Sequence, residues 1–524
     1  VQVAAASRVP VLIVGAGPTG LAAANLLGAR GIQCLVAERE EGIHPLPRAV
    51  HFDDEALRIL QSAGLADAAR EISRPIPGMQ LLDAEHRLIV AFDRERERGP
   101  LGHPESSFFD QPDLEAVLRR GLSRFPHVEL RERTEVLAIE PLGHARRDPL
   151  RVTLHDRSSG SLFEVSSQAV LACDGARSRT RAFVGAEIDD LRFEERWLVV
   201  DVRTPEPLAR WDGCQQVADP KRPATYVPVG TCRYRWEFMV MPGETTAEML
   251  RPERVKELLE PWLEGAELER VDVFRSAVYT FHALVARPWR RGRVFLLGDA
   301  AHQTPPFLGQ GLCAGLRDAA NLAWKLALVL DGRAREEILD TYEEERRPHA
   351  RRVIQMAVLL GRAMLTGGPR AKPSDRLFRA LLRVPGFSKR LPRISWPAIG
   401  RGPLVFAQRR RDGAGLALPQ PRIVRRDGKE LLLDDALGPG FAVVWAGEAP
   451  GRGIPAADRG ALEGLGASFV RADALDDWLR EHSATLALVR PDRIVAATGT
   501  SRDVNAWITA LRTAGIGACG EARG

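Results

Sequence analysis

An α/β fold that opens on a Rossmann-like, dinucleotide-binding unit is predicted by three stretches of the chain. Near the start, VPVLIVGAGPTGLAAANLLGARGIQCLVAERE reads as apolar strand, glycine turn, helix and second strand. Between residues 185 and 290, WLVVDVRT, ATYVPVG, RYRWEFMVMP and SAVYTFHALVARPW alternate as the strands of an antiparallel sheet do. Towards the end, FAVVWAGE, GASFVRAD, ATLALVRPDRIVAATG and a helix from Val504 to Ala514 again alternate strand and helix. The expected organisation is a first unit over 1–184, the sheet over 185–290, and a return to the first unit with a long helix over 291–366. A linker over 367–404 and a second α/β unit over 405–524 complete it.

Composition limits what such a chain does. At 524 residues it has room for two or three domains, with 27% charged and 45% hydrophobic residues, as in ordinary globular proteins. The formal net charge is +5, but acidic residues are interleaved throughout, which argues against a nucleic-acid surface. Six cysteines stand singly without a CxxC, so neither a disulfide framework nor a metal site is suggested. With no signal-peptide pattern and no apolar run of spanning length, the expected location is the cytoplasm, away from membranes.

In the first element each glycine has a task. Gly15 makes the tight turn, Gly17 lets the backbone approach a pyrophosphate, and Gly20 allows close helix–strand packing, with Pro18 at the helix start. Glu38 ends the second strand eighteen residues after Gly20, placed for the ribose hydroxyls of FAD or NAD, with Arg39 beside it. Next, PLPRAVHFDDEALRILQSAGL offers Asp53 as a helix N-cap. Arg48 there reads either as a guanidinium near a cofactor or as a plain loop arginine. In DQPDLEAVLRR a loop leads into a helix, and Gln111 faces a cofactor or simply contacts the helix start. The strand ending in CDGARSRTR places Asp174 and Gly175 before a run of arginines suited to ribose and phosphate, or to a solvated edge.

The stretch RVFLLGDAAHQTPPFLGQGLCAGLRDAANLAWKLALVL, residues 293–330, is the most informative. A short strand turns at Gly298 and Asp299, passes through Pro306 and Gly309, and enters a helix at Gly311 and Leu312. Asp299 suits sugar or ribitol hydroxyls, and the glycines let the backbone approach a flat ring. The helix N-terminus aims unpaired N–H groups at charge that a reduced flavin carries near N1 and C2=O. The following helix, Asp340 to Met364, is expected to break at Pro348.

The three motifs in this order resemble the class A FAD-dependent aromatic hydroxylases of the para-hydroxybenzoate hydroxylase fold. PRAVHFDDEALR, DQPDLEAVL and TPPFLGQGLCAGLRDAANLAWKL resemble the phenol hydroxylase and 3-(3-hydroxyphenyl)propionate hydroxylase branch. The resemblance implies an FAD-binding domain, an antiparallel substrate domain and a thioredoxin-like C-terminal α/β domain, here without CxxC. It implies that Arg48 and Gln111 touch FAD and that NADPH or NADH binds transiently, since no second GxGxxG is present. It further implies that O2 forms a flavin C4a-hydroperoxide, which delivers one oxygen to a small aromatic substrate. A homodimer contact is a possible role for the last domain.

A phenol is activated by deprotonation, so a base is wanted. His51, Tyr226 and His282 are the candidates, while His302 reads as structural. Tyr226, Trp236, Phe238, Tyr279, Phe281 and His282 are the candidate groups for the substrate cavity. Other readings stay open at this stage. A polyketide tailoring oxygenase acting by hydroxylation, epoxidation or Baeyer–Villiger-type insertion fits the motifs equally well. An NAD-dependent dehydrogenase leaves the loop after Asp299 unexplained, and a non-catalytic flavin sensor does not explain its retention.

Overall fold

Five parallel strands carry the first unit of the computed structural model. It describes residues 4–46, 48–263, 266–364, 396–406, 412–424, 428–448 and 453–517. The linker pattern over 367–404 also predicts one short amphipathic helix, Asp375 to Leu382, which lies outside these residues. The parallel strands run in the order Val294–Leu296, Ser161–Ala172, Ala4–Val14, Cys34–Ala37 and Val128–Arg131, with a short antiparallel strand, Arg290–Arg291, at one edge. Val11, Leu12, Ile13, Val170 and Leu171 are fully buried, as strands covered on both faces require. The helices Pro18–Gly28 and Gly311–Leu330 pack together over this sheet.

Glycine is obligatory where these elements meet. A Cβ on Gly20 would stand 2.1 Å from the Gly15 carbonyl oxygen, and one on Gly15, at φ +97°, would stand 2.6 Å from the Cys173 carbonyl oxygen. The first turn therefore closes directly against the end of the Ser161–Ala172 strand. That brings two motifs, 160 residues apart in the chain, to one edge of the sheet.

The second sheet has eight strands in the order His302–Gln303, Asp272–Arg287, Glu187–Arg203, Arg233–Met239, Ala224–Val227, Cys214–Val217, Gly78–Leu82 and Leu88–Asp93. All neighbours are antiparallel except Cys214–Val217 with Gly78–Leu82. The last two strands fall within the stretch expected to belong wholly to the first unit, and His302–Gln303 comes from the GDAAH loop. The sheet is thus stitched into the first unit from both sides. Its outer face holds Tyr226, Tyr234, Trp236 and Phe238 against the helix Pro252–Leu259 and Trp262.

The helix Asp340–Met364 runs through Pro348, correcting the expected break. Proline removes one backbone donor, but Tyr342, Ala350, Val353, Ile354 and Ala357 are buried and hold the helix to its course. In the C-terminal domain the strands Ser468–Arg471, Ala442–Trp445, Leu486–Val489 and Val495–Gly499 lie side by side. The first pair is parallel and the next two pairs antiparallel, which is the thioredoxin-like arrangement. Among the described residues no helix is long and apolar enough to cross a membrane, and no cluster of three or more His, Cys, Asp or Glu side chains is placed to hold a metal.

Candidate cofactor and substrate site

A cavity of about 1700 Å³ lies between the strand ends of the first sheet, the inner face of the second and the C-terminal domain. Sites for one drug-sized ligand are roughly 300–1,000 Å³, so this space suits a dinucleotide together with a second molecule. Along its first-sheet wall stand Gly17, Pro18, Arg39, Asp174 and Gly175. The space where a Cβ would sit on Gly17, Gly175 or Gly311 is empty to 4 Å, so backbone and ligand can meet there without obstruction. Asp174 accepts from the Thr180 backbone N–H and hydroxyl through Oδ2, both at 3.1 Å, while its buried Oδ1 has no partner. An open backbone cradle beside an unsatisfied buried carboxylate oxygen fits the polyol and phosphates of FAD.

Glu38 lies behind the cradle and not on the cavity wall. Its carboxylate accepts from the Ala16 N–H at 2.7 Å and the Glu40 N–H at 2.9 Å. A carboxylate has about four acceptor positions, so capacity is left for ribose hydroxyls. Glu38→Ala is expected to weaken FAD binding roughly tenfold, the worth of one charged hydrogen bond. An FAD dissociation constant unchanged by this substitution would count against the ribose role.

The loop from Gly298 to Leu312 forms the floor. Asp299 opens onto the cavity, yet the protein around it pushes its carboxyl up, against the pull of His302, Arg48 and Arg181. Beneath the turn, Asp318 accepts from the Gly298 N–H at 3.0 Å, from His302 Nε2 at 2.8 Å and from Arg346 Nε at 2.9 Å. His302 is buried in that network, so it shapes the loop without reaching the cavity. Arg181 adds bonds to the Asp299 and Ala300 carbonyl oxygens. The helix Gly311–Leu330 starts at the wall, with Pro306, Gly309, Gly311 and Leu312 all facing the cavity.

Arg48 lines the cavity, and its carbonyl oxygen accepts from Arg235 Nη1 at 2.8 Å. Gln111 is buried with its amide committed. Oε1 accepts from the Ala49 N–H and Nε2 donates to Glu115, both at 2.7 Å. It therefore sets the backbone beside Arg48.

Of the three candidate bases, the structure brings His51 and His282 to the cavity and leaves Tyr226 out. Tyr226 is a correction, as are Trp236 and Phe238. Successive strand residues point to opposite faces, and these three point into the aromatic cluster on the outer side. There burial pushes the Tyr226 hydroxyl further up, away from any basic role. Tyr279 and Phe281 line the cavity. His282 is half-exposed, 3.9 Å from Glu194.

His51 is held on both sides of its ring. Nδ1 lies 3.2 Å from the Gly309 carbonyl oxygen and Nε2 lies 2.7 Å from Ser106 Oγ. A carbonyl only accepts, so Nδ1 carries the proton and Nε2 accepts from the Ser106 hydroxyl. A Cβ on Gly309 would stand 2.7 Å from Nδ1, which adds a second reason for glycine at that position. Burial lowers the His51 pKa, with Asp53 and the Gly309 carbonyl pulling the other way. Ser106, Gln216 and Glu237 also face the cavity and escaped the sequence reading. The available signal was the alternation of Arg235 and Glu237 with aromatics in RYRWEFM, a polar stripe on a strand buried on both faces.

The model of the FAD binding domain family matches residues 8–357, and that of the HcaD C-terminal domain matches 415–474 and 471–514. The chain is 35% identical over 94% of its length to the 3-(3-hydroxy-phenyl)propionate/3-hydroxycinnamic acid hydroxylase 2 of Burkholderia vietnamiensis (strain G4 / LMG 22486), covering 94% of that protein. The corresponding hydroxylase of Mycolicibacterium smegmatis (strain ATCC 700084 / mc(2)155) is also 35% identical, with 96% of this chain and 92% of the relative covered. Among solved structures, the flavin-dependent monooxygenase PieE in complex with FAD and substrate superposes with a TM-score of 0.79 at 20% identity, covering 97% of this chain and 99% of that one. The p-nitrophenol 4-monooxygenase PnpA from Pseudomonas putida DLL-E4 superposes with a TM-score of 0.64 at 27% identity, covering 74% of this chain and 97% of that one.

Proposed function

This chain belongs to the FAD binding domain family and is an FAD-dependent aromatic monooxygenase, and from that premise we propose that it hydroxylates a single-ring phenol beside its hydroxyl, using NAD(P)H and O2. The observation that carries this reading is the pairing of Ser106 with His51 against the Gly309 carbonyl, at the loop that faces the cofactor. Bound FAD supplies the redox chemistry by accepting hydride from NAD(P)H and activating O2.

The protein's part is positional and electrostatic. The glycine cradle and Asp174 hold the polyol and phosphates, while Asp299 takes ribitol hydroxyls. The N-terminus of the helix Gly311–Leu330 places partial positive charge where the reduced ring is negative. The phenol lies between this floor and the second sheet. Its hydroxyl donates to Ser106 Oγ as the Ser106 proton passes to His51 Nε2, which leaves the ring carbon more nucleophilic. The Gly309 carbonyl keeps the Nδ1 proton in place throughout, so a single tautomer operates.

His51 works only as the neutral imidazole. Because its pKa is lowered, hydroxylation is expected to be flat around neutral pH and to fall only on the acid side, below the ordinary imidazole value of 6.5. His51→Ala is expected to cost about 10²-fold or more in coupled hydroxylation, within the range of a positioned base, and to abolish that acid limb. The check is NAD(P)H consumption with product mass, on a panel from 3-(3-hydroxyphenyl)propionate to fused-ring quinones. One oxygen added to a single-ring phenol supports the reading. Turnover of fused-ring compounds alone would replace it with natural-product tailoring.

A further inference from the structure

The inner face of the second sheet carries polar side chains that the cofactor does not explain. Strand register sets Arg275, Asp201 and Arg235 opposite one another across three strands. Two residues along, Ala277, Val199, Glu237, Thr225 and Gln216 form the next row on the same face. In the first row Asp201 accepts from Arg235 Nε at 2.7 Å and from Arg275 Nη1 at 2.9 Å, so both guanidiniums are held. In the second row Glu237 is only 9% exposed and lines the cavity, and its carboxylate makes no hydrogen bond to another described residue.

The rows are fixed relative to the cofactor floor at both ends. Arg235 Nη1 reaches the Arg48 carbonyl oxygen and Gln216 Nε2 reaches the Phe307 carbonyl oxygen at 3.1 Å. Glu237 is two residues from the first anchor and two strands from the second, about 7 Å and about 10 Å respectively from strand geometry. It therefore stands on the second-sheet side of the same cavity that His51 lines.

A buried carboxylate without a donor has given up its hydration for nothing, unless a ligand replaces it. Other acids at the cavity are engaged differently. Asp53 and Glu55 are bonded to Arg317. The Asp54 carboxylate also lacks a hydrogen bond to a described residue, but it sits in a first helical turn beside Asp53, Glu55 and Glu105. Burial pushes the Glu237 carboxyl up, with Arg235 pulling the other way; in either protonation state it has no use for an apolar group, and a hydroxyl, which both donates and accepts, satisfies it.

On the premise that a phenol occupies the cavity, we propose that Glu237 is a specificity-determining residue that accepts a hydrogen bond from a second hydroxyl of the substrate. The preferred substrate class is then a dihydric phenol, gripped by Ser106 and His51 at one hydroxyl and by Glu237 at the other.

The test compares resorcinol with 3-methylphenol on the FAD-loaded enzyme, reading KM, kcat and product mass. Wild type is expected to favour resorcinol by about ten- to a hundredfold in KM, the range of a hydrogen bond to a charged acceptor. In Glu237→Leu that preference should collapse, the KM for resorcinol rising to that variant's own KM for 3-methylphenol. Glu237→Gln, which keeps the shape and a neutral acceptor, should fall between, and it carries the test if the leucine variant does not hold FAD. A wild type without the preference, or a preference that survives in the variants, overturns the proposal. A wild type that oxidises 3-(3-hydroxyphenyl)propionate but neither of these phenols overturns this assignment and leaves the phenol reading standing, whereas oxidation of no single-ring phenol overturns both.

Discussion

Glu345→Ala is expected to destabilise the whole chain by about 3–5 kcal/mol near neutral pH, as removal of one partner from a buried ion pair does. Glu345 sits on the helix Asp340–Met364 and is almost fully buried. It accepts from Arg490 of the C-terminal domain at 2.8 and 2.9 Å, from Lys325 at 2.8 Å and from Asn321 at 2.7 Å. Asp492 binds Arg490 from the other side, so two cations and two anions balance within one buried cluster. Loss of Glu345 leaves Lys325 and Arg490 with one carboxylate between them.

The pH dependence has a definite sign. Burial alone would raise the Glu345 carboxyl, but Arg490 and Lys325 outweigh it and hold the group down to about 2, against 4.5 when free. The same burial pulls Lys325 down to about 8, so the gain rests chiefly on the paired bonds from Arg490. A depressed carboxyl stabilises the fold above its free value and loses that contribution as pH falls towards 2. The difference of some 2.5 units corresponds to about 3 kcal/mol at 1.36 kcal/mol per unit, in line with the mutational expectation. Thermal melts of wild type and Glu345→Ala should therefore lie several degrees apart at pH 7 and converge below pH 4.5. Coincident melts at pH 7 would show that the cluster does not fasten the C-terminal domain.

That cluster also marks the limit of what the sequence discloses. Gly15, Gly17, Gly20 and the Gly298–Leu312 loop were legible because their chemistry is local. A turn, a close approach and a helix start each leave a signature within a few residues. The three-part α/β architecture was legible for the same reason, through periodicity and strand order. Glu345 and Arg490 are 145 positions apart, and nothing within either segment announces the other.

Faces of the second sheet were harder still. In ATYVPVG and RYRWEFMVMP both sides of each strand are buried, one in the aromatic cluster and one at the cavity, so alternation no longer separates core from solvent. A one-residue difference in facing put Tyr226 and Trp236 forward and left Glu237 unnoticed. The strands Gly78–Leu82 and Leu88–Asp93 join this sheet from a segment whose pattern is equally compatible with the first unit.

Asp299→Ala is expected to strip the protein of most of its flavin and of all coupled hydroxylation. The turn that carries Asp299 does not depend on its side chain. Gly298 adopts φ +58°, Asp318 holds the Gly298 N–H, and Arg181 grips the two carbonyl oxygens that follow. The carboxylate makes no hydrogen bond to another described residue and faces the cavity, so its partner is the ligand. A charged hydrogen bond is worth about 1.5–3 kcal/mol, which corresponds to roughly ten- to a hundredfold in FAD affinity. A second cost is expected from position, because Asp299 opens the loop that leads through Pro306–Leu308 into the helix Gly311–Leu330, and on the proposed cofactor placement a displaced ribitol would displace the ring from that helix N-terminus. Equilibrium dialysis of FAD separates these effects from unfolding, since an unchanged melt of the apoprotein would place the loss in the site. If Asp299→Ala kept full flavin occupancy and full coupling, ribitol binding by this loop would be refuted, and the cavity floor would need another cofactor contact.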